Sequence, residues 1–421
     1  GASNTAVGYR SLDANTTGIN SVAVGANALE ANTTGSKNIA VGQHSLGTAT
    51  TGANNVAVGH IALEDLTTAS NNTAIGAFSS RNITTGTSNV SVGYDSLSTN
   101  TTGGSNVAIG FEALKANTTA GGVTAVGFQA LDANTTGYSN QALGCGALGA
   151  NTTGHSNSGV GESALLVNTT GFKNIAVGNN TLDSNTTGCF NVAVGHLALG
   201  ANTTAKCNVA IGCGALKANT TADSNVAVGY SALQANTTGA SNVAVGCNAL
   251  GSVTTGYNNT SLGYNALGNA VSGLNNVAIG HNAGTDAVGN ITGSGSGQIV
   301  LGNNSSTGAK IKIDWTVTSD LRDKTEIESV PHGLNFVNQI TPIKYRFKTS
   351  RKNDTPTGVT RYGFKAQEIL ALEGENPVLV DNGDTDNLKL TGAYLIPVLV
   401  NAIKELKAQN DSLKSRIETL E

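Results

Sequence analysis

The sequence predicts a mainly β fold: a parallel β-solenoid of 17-residue coils, followed by a small α+β domain that ends in a helix. Three observations carry this. A central glycine recurs from Gly8 through Gly25 and Gly42 to Gly280, every interval being 17 residues. A strict short period means one unit stacked on copies of itself. The composition is that of a solenoid, with 54 Gly, no Met, one Trp and 12% charged residues, too few large side chains for a conventional core of this length. Charge is also uneven: residues 1–309 hold 7 Lys+Arg and 11 Asp+Glu, whereas residues 310–421 hold 16 of each.

The repeat reads Asn-Val-Ala-Val-Gly-x-x-Ala-Leu-x-Ala-Asn-Thr-Thr-Gly-x-x. Before each central glycine stands an aliphatic residue (Val7, Val24, Ile75, Ile279), and before that a small one (Ala6, Ala23, Ser91, Gly159). This alternation predicts a short β-strand. Four residues after the glycine runs a leucine ladder, from Leu12 to Leu267, interrupted at Ser80. Two short strands per coil are expected, with the Val and Leu ladders stacked inside and corners at the Gly and Asn-Thr-Thr-Gly segments. Coils about 4.8 Å apart would build a rod roughly 80 Å long. The ladder of small residues is expected to form an interface on which three rods pack around an axis. The Asn-x-Val-Ala-Val-Gly unit resembles the head repeats of trimeric autotransporter adhesins, and similar repeats occur in phage tail fibres. That resemblance, over about residues 4–302, implies a left-handed parallel β-roll in a homotrimer, and the solenoid is expected over residues 1–302.

Other repeated residues receive structural readings. The Thr-Thr pairs, Thr16-Thr17 to Thr254-Thr255, and the Asn before many of them are expected to cap corners and bond along the stack. An ice-binding surface would favour Thr-x-Thr, because adjacent strand residues point opposite ways. Asn-x-Thr is also a glycosylation sequon, which matters only in a eukaryotic secretory pathway. Cys145, Cys189, Cys207, Cys213 and Cys247 fit no zinc spacing; Cys189 and Cys207 fall on neighbouring coils, but free thiols are expected. His60, His196 and His281 follow central glycines and are read as surface side chains. No metal or cofactor site is expected. The absence of Met and the start at Gly1 are expected of a trimmed or processed chain.

After Gly280 the repeat breaks at the Gly/Ser-rich segment 293–297, and a last strand-like unit follows at Ile299-Val300-Leu301-Gly302. An alternating segment, Lys310 to Thr318, is expected as a neck strand, so that residues 303–319 form a neck and cleavage segment. Next comes Ser319-Asp320-Leu321-Arg322-Asp323-Lys324. Further landmarks are Leu334-Asn335-Phe336, Pro342-Ile343-Lys344-Tyr345-Arg346-Phe347, Arg361-Tyr362-Gly363-Phe364-Lys365-Ala366-Gln367-Glu368 and Tyr394-Leu395-Ile396-Pro397-Val398-Leu399.

These motifs, in this order and spacing, resemble the intramolecular chaperone domain of endosialidase-type phage tail spikes and fibres. Asp323 stands where many members carry Leu, which leaves the key pair intact but changes its neighbour. The resemblance implies a trimeric module over residues 320–421 that directs folding of the fibre and then cuts itself off between Ser319 and Asp320. Ser319 would be the nucleophile and Lys324 its base. A serine hydroxyl is inert until a base takes its proton, and a lysine serves once it is neutral. Attack by Ser319 on its own carbonyl needs a four-membered ring, attack on the preceding carbonyl cuts on the other side of the serine, and an activated water or a neighbouring chain is a third route; all stay open.

The chain runs out in a helix, about residues 394–421, with an apolar seam at Ile396, Leu399, Ile403, Leu406, Leu413, Ile417 and Leu420. Asn410 is the one polar seam residue, as in a coiled coil. The function expected is a trimeric viral tail or host-attachment fibre, assembled in the host cytoplasm and carried on the virion. Its partners would be two further copies of itself and a host surface receptor or glycan. The alternative is a bacterial cell-surface trimeric adhesin, for which a membrane β-barrel anchor is expected instead of the coiled-coil helix. Neither half is basic enough for nucleic-acid binding, and no apolar run has membrane-spanning length.

Overall fold

The computed structural model describes residues 1–285, 290–306, 319–351, 353–383, 385 and 388–420. Two compact units emerge, Gly1–Asn303 and Asn304–Glu421. The expected neck strand, residues 310–318, lies outside the described residues.

The first unit is a parallel β-solenoid. Eighteen three-residue strands form one continuous sheet. It starts with β1 (Thr5–Val7) and β2 (Val22–Val24) and ends with β17 (Val277–Ile279) and β18 (Ile299–Leu301). Each strand pairs in register with its equivalents above and below: Ala6 opposite Ala23, Ala193 opposite Ala210. The period holds at 17 until the last coil, where Ala278 pairs with Val300 across a longer connection.

The inside of the coil differs from the expectation in two ways. The alanines face inward: Ala23, Ala108, Ala193 and Ala227 are fully buried and pack with the leucine ladder in one core that runs the length of the rod. The flanking aliphatics face outward, with Val24 at 36%, Ile109 at 39% and Ile211 at 40% exposure. Alternate strand residues point to opposite faces, and the interior already holds Ala28 and Leu29 from the other side of the same coil. Only a side chain as small as those of Ala, Ser or Gly fits between. The small ladder is therefore core, and cannot be the face on which rods meet.

The second difference is that each coil has one strand. The leucine segment is a turn in which Leu29, Leu114 and Leu199 sit at φ of 50°, 54° and 51°. A left-handed backbone costs an ordinary residue roughly 1–2 kcal/mol. Burial of the side chain and a bond to the next coil offset it, as when Leu29 N–H donates to Ser45 O at 3.1 Å. The central glycine is obligatory for a related reason. Gly110 has φ +138°, and a Cβ there would meet the Gly127 carbonyl oxygen at 2.2 Å.

Two buried asparagine ladders close the stack. In one, Asn55 N–H donates to Asn38 Oδ1 at 3.0 Å and Asn55 Nδ2 donates to Ala69 O at 3.0 Å. In the other, from the Asn-Thr-Thr corners, Asn151 Nδ2 donates to Asn134 Oδ1 at 2.8 Å and to Gly154 O at 2.9 Å. The first threonine of each pair joins them, Thr152 Oγ1 donating to Thr169 O at 3.1 Å. Buried amides need such partners. Most sequon asparagines of these corners, from Asn32 through Asn117 to Asn236, are fully buried and cannot carry a glycan on the folded rod, while Asn15 of the first coil is half-buried.

The second unit is a small α+β assembly. It contains α1 (Leu334–Gln339), a hairpin of β19 (Ile343–Ser350) and β20 (Asn353–Gly363), α2 (Ala366–Glu373), a short pair β21 (Val380–Asp381) and β22 (Lys389–Leu390), and the long α3 (Leu395–Glu418). Its core is Phe336, Ile340, Ile369, Leu379, Val380, Leu395 and Val398. Glu373 ties the chain after α2 by accepting from the backbone N–H groups of Val378, Leu379 and Val380 at 2.7–3.1 Å. On α3, Leu395, Val398 and Ala402 are buried against the unit, while the seam from Ile396 (60%) through Ile403 (66%) to Leu420 (86%) is exposed.

Candidate active site at Ser319 and Lys324

The turn around Ser319 is built by its own sequence. Asp320 has an extended backbone (φ −67°, ψ 135°), and its carboxylate accepts from the Arg322 N–H at 2.9 Å. An Asp two residues before a free N–H makes this turn readily. One turn of 3-10 helix follows, Leu321–Asp323, with Asp323 N–H donating to Asp320 O and Lys324 N–H to Leu321 O, both at 3.2 Å. Lys324 then leaves in an extended conformation (φ −115°, ψ 142°). Its side chain folds back so that Nζ lies 2.8 Å from Ser319 Oγ.

The two residues proposed from the sequence as nucleophile and base are thus within hydrogen-bond reach of each other. As an ammonium, Lys324 donates to the serine oxygen; as a neutral amine, it accepts the hydroxyl proton through the same contact. Both side chains are exposed in the single chain, as are Leu321, Ile327 and Val330 nearby.

Asp320, on the far side of the bond from Ser319, is engaged by a residue that sequence reasoning gave no role. The Arg322 guanidinium donates through Nε to both carboxylate oxygens at 3.1 Å and through Nη2 to Oδ2 at 2.5 Å. These bonds, with that from the Arg322 backbone N–H, hold the Asp320 carboxyl below the usual carboxylate range, and the carboxylate raises the guanidinium in turn. The Asp-x-Arg spacing was the available signal.

The remaining candidates separate. All five cysteines are free thiols; Cys207 N–H donates to Cys189 O at 3.2 Å, and burial pushes the Cys189 thiol up. His60 meets Phe78 of the neighbouring coil edge-to-face, His281 stacks on Tyr264 of its neighbour, and His196 Nδ1 bonds Asn179 O. Among the described residues no group of three or more His, Cys, Asp or Glu is placed to hold a metal, and no helix is long and apolar enough to cross a membrane. An open notch of about 430 Å³ on the rod, lined by Gln129, Asp132, Gly146 and Leu166 among others, brings no nucleophile to a base.

Residues 319–378 match a protein family described as chaperone of endosialidase. No curated protein and no solved structure gives a significant match to the chain. The match begins at the serine of the Ser319–Lys324 pair and runs through α1, the hairpin and α2. Residues 319–378, within the second unit, are therefore similar to the endosialidase-chaperone family, and in this chain they follow a parallel β-solenoid.

Proposed function

We propose that this protein is a homotrimeric tail fibre or tail spike of a virus, whose C-terminal unit assembles three rods in step and then cuts itself away between Ser319 and Asp320. The observation that carries the reading is the 2.8 Å approach of Lys324 Nζ to Ser319 Oγ at the first residue of the matched segment. In the net reaction one water is consumed. The Ser319 carbonyl carbon gains oxygen and ends as a carboxylate, the C–N bond breaks, and the Asp320 nitrogen leaves as an amine. Lys324 moves the proton, which requires its neutral form. Desolvation by neighbouring chains supplies that, so cutting follows assembly.

Two apolar surfaces support three copies. Outward Val, Ile or Leu side chains line the rod from coil to coil, and the seam of α3 is exposed along its length. A second copy carries the same ladder at the same spacing, so the two stripes match in pitch. Host attachment follows from the fibre reading, with a surface receptor or glycan as the external partner. Intact-mass measurement of the full chain tests the chemistry. Wild type should yield a fragment beginning at Asp320, whereas Ser319→Ala and Lys324→Ala should each stay full length; undiminished cutting in both variants removes the pair from the mechanism.

A further inference from the structure

We propose that Arg322 is a positioning residue for the self-cleavage, acting through its clamp on the Asp320 carboxylate; the inference rests on the proposed function above. Ser319 and Lys324 are five residues apart, and an extended chain over that span reaches roughly 17 Å. The observed separation of their side-chain tips is 2.8 Å. What closes the gap is the turn that starts at Asp320, and Arg322 grips that residue with its backbone N–H and its guanidinium together. Asp320 also carries the nitrogen that leaves in the reaction. One clamp therefore sets both the direction of the leaving group and the return of Lys324 to the serine.

The clamp sits where it can position without holding up the fold. The Arg322 side chain is 88% exposed and that of Asp320 37%, and ion pairs of this kind add little to stability. Misplacing a reacting group by about 1 Å is far more costly, on the order of a hundredfold in rate.

The test follows cutting of the full chain after a pulse of synthesis, by intact mass, with melting of the assembled product as the control. Arg322→Ala should slow cutting by roughly ten- to a hundredfold with melting unchanged. Arg322→Lys should recover part of the rate. Guanidinium ion at a non-denaturing concentration should accelerate Arg322→Ala and leave wild type and Lys324→Ala unaffected. Adding Asp320→Asn to Arg322→Ala should slow it no further, since the two residues act as one unit. Wild-type cutting in Arg322→Ala, or a slowing that adds to that of Asp320→Asn, overturns the proposal. If Arg322→Ala fails to assemble, Asp320→Asn alone decides: slow cutting in an assembled product supports the clamp, and a wild-type rate overturns it. The two claims fail separately. Persistent cutting in Ser319→Ala and Lys324→Ala ends the Ser–Lys reading, whereas loss of cutting there with a wild-type rate in Arg322→Ala ends only the clamp.

Discussion

The two units solve opposite problems. In the rod every coil bonds to the next through strand, asparagine and threonine ladders, and its core is continuous. It is rich in stabilising contacts and poor in information, because a slip by one coil replaces Ala with Ala and Asn with Asn. The C-terminal unit is the reverse. It has a small core of unlike residues, a helix apolar on two faces, and a seam left uncovered. Under the proposed function it would set where chains start, while its own surface stays unfinished in the single chain. A fibre of that kind would need both, and the second only until parallel, non-local pairing has nucleated.

The largest effect should come from removing one of the two units. Rods expressed without residues 320–421 should be misassembled or insoluble, while rods from which the unit is removed after folding should keep their solubility and melting temperature. Equal behaviour of the two preparations would show that the rod finds its own register. The next largest effect lies inside a coil. Leu in place of Ala108, Ala193 or Ala227 overfills a closed interior and should cost about 1–3 kcal/mol per site or more. Changes at Lys173 or Ser224 should stay within about 0.5 kcal/mol. Denaturant unfolding reads both, and equal tolerance would contradict an inward-facing alanine ladder.

A subtler change touches only the outer face. Ser in place of Val24, Ile109 and Ile211 together should leave the β-rich circular dichroism spectrum intact and shift sedimentation from trimer toward monomer. An unchanged trimer would place the contact elsewhere. The smallest effect is electrostatic. Burial raises the Asp132 and Asp183 carboxyls above the ordinary range, so the folded rod holds these protons more tightly than the unfolded chain does. Their contribution to stability is full below the unfolded value near 3.9 and is lost as pH rises through the raised folded value. Asn at both sites should flatten that window and add well under 1 kcal/mol at neutral pH, given the partial exposure. Melting temperatures at several pH values check the sign.

The period and the strand were legible because the 17-residue spacing and the Val-Ala-Val alternation are direct imprints of stacking. Which side of the strand faces inward was not. Hydrophobicity assigns Val to the core and Ala to a neutral position, but the interior is so narrow that volume decides, and the turn carrying Leu29 on the opposite side takes the space. The second strand was misread for a related reason: leucine at φ near +50° is rare, and only the coil above makes it tolerable. In the C-terminal unit motif order drew attention to Ser319 and Lys324, whose side chains lie 2.8 Å apart. For the Arg322 clamp the only signal was the Asp-x-Arg spacing, which fits a solvated loop equally well, and the hydrogen-bonded turn itself is a matter of geometry.

Under the proposed function, assembly precedes and enables self-cleavage. Native mass spectrometry of the wild-type chain, sampled through a time course after synthesis, tests it most directly. Full-length monomers should come first, then full-length trimers, with the fragment beginning at Asp320 arising only from the trimeric population. That fragment arising from monomers at the same rate, or a stable monomer as the only species, would contradict it.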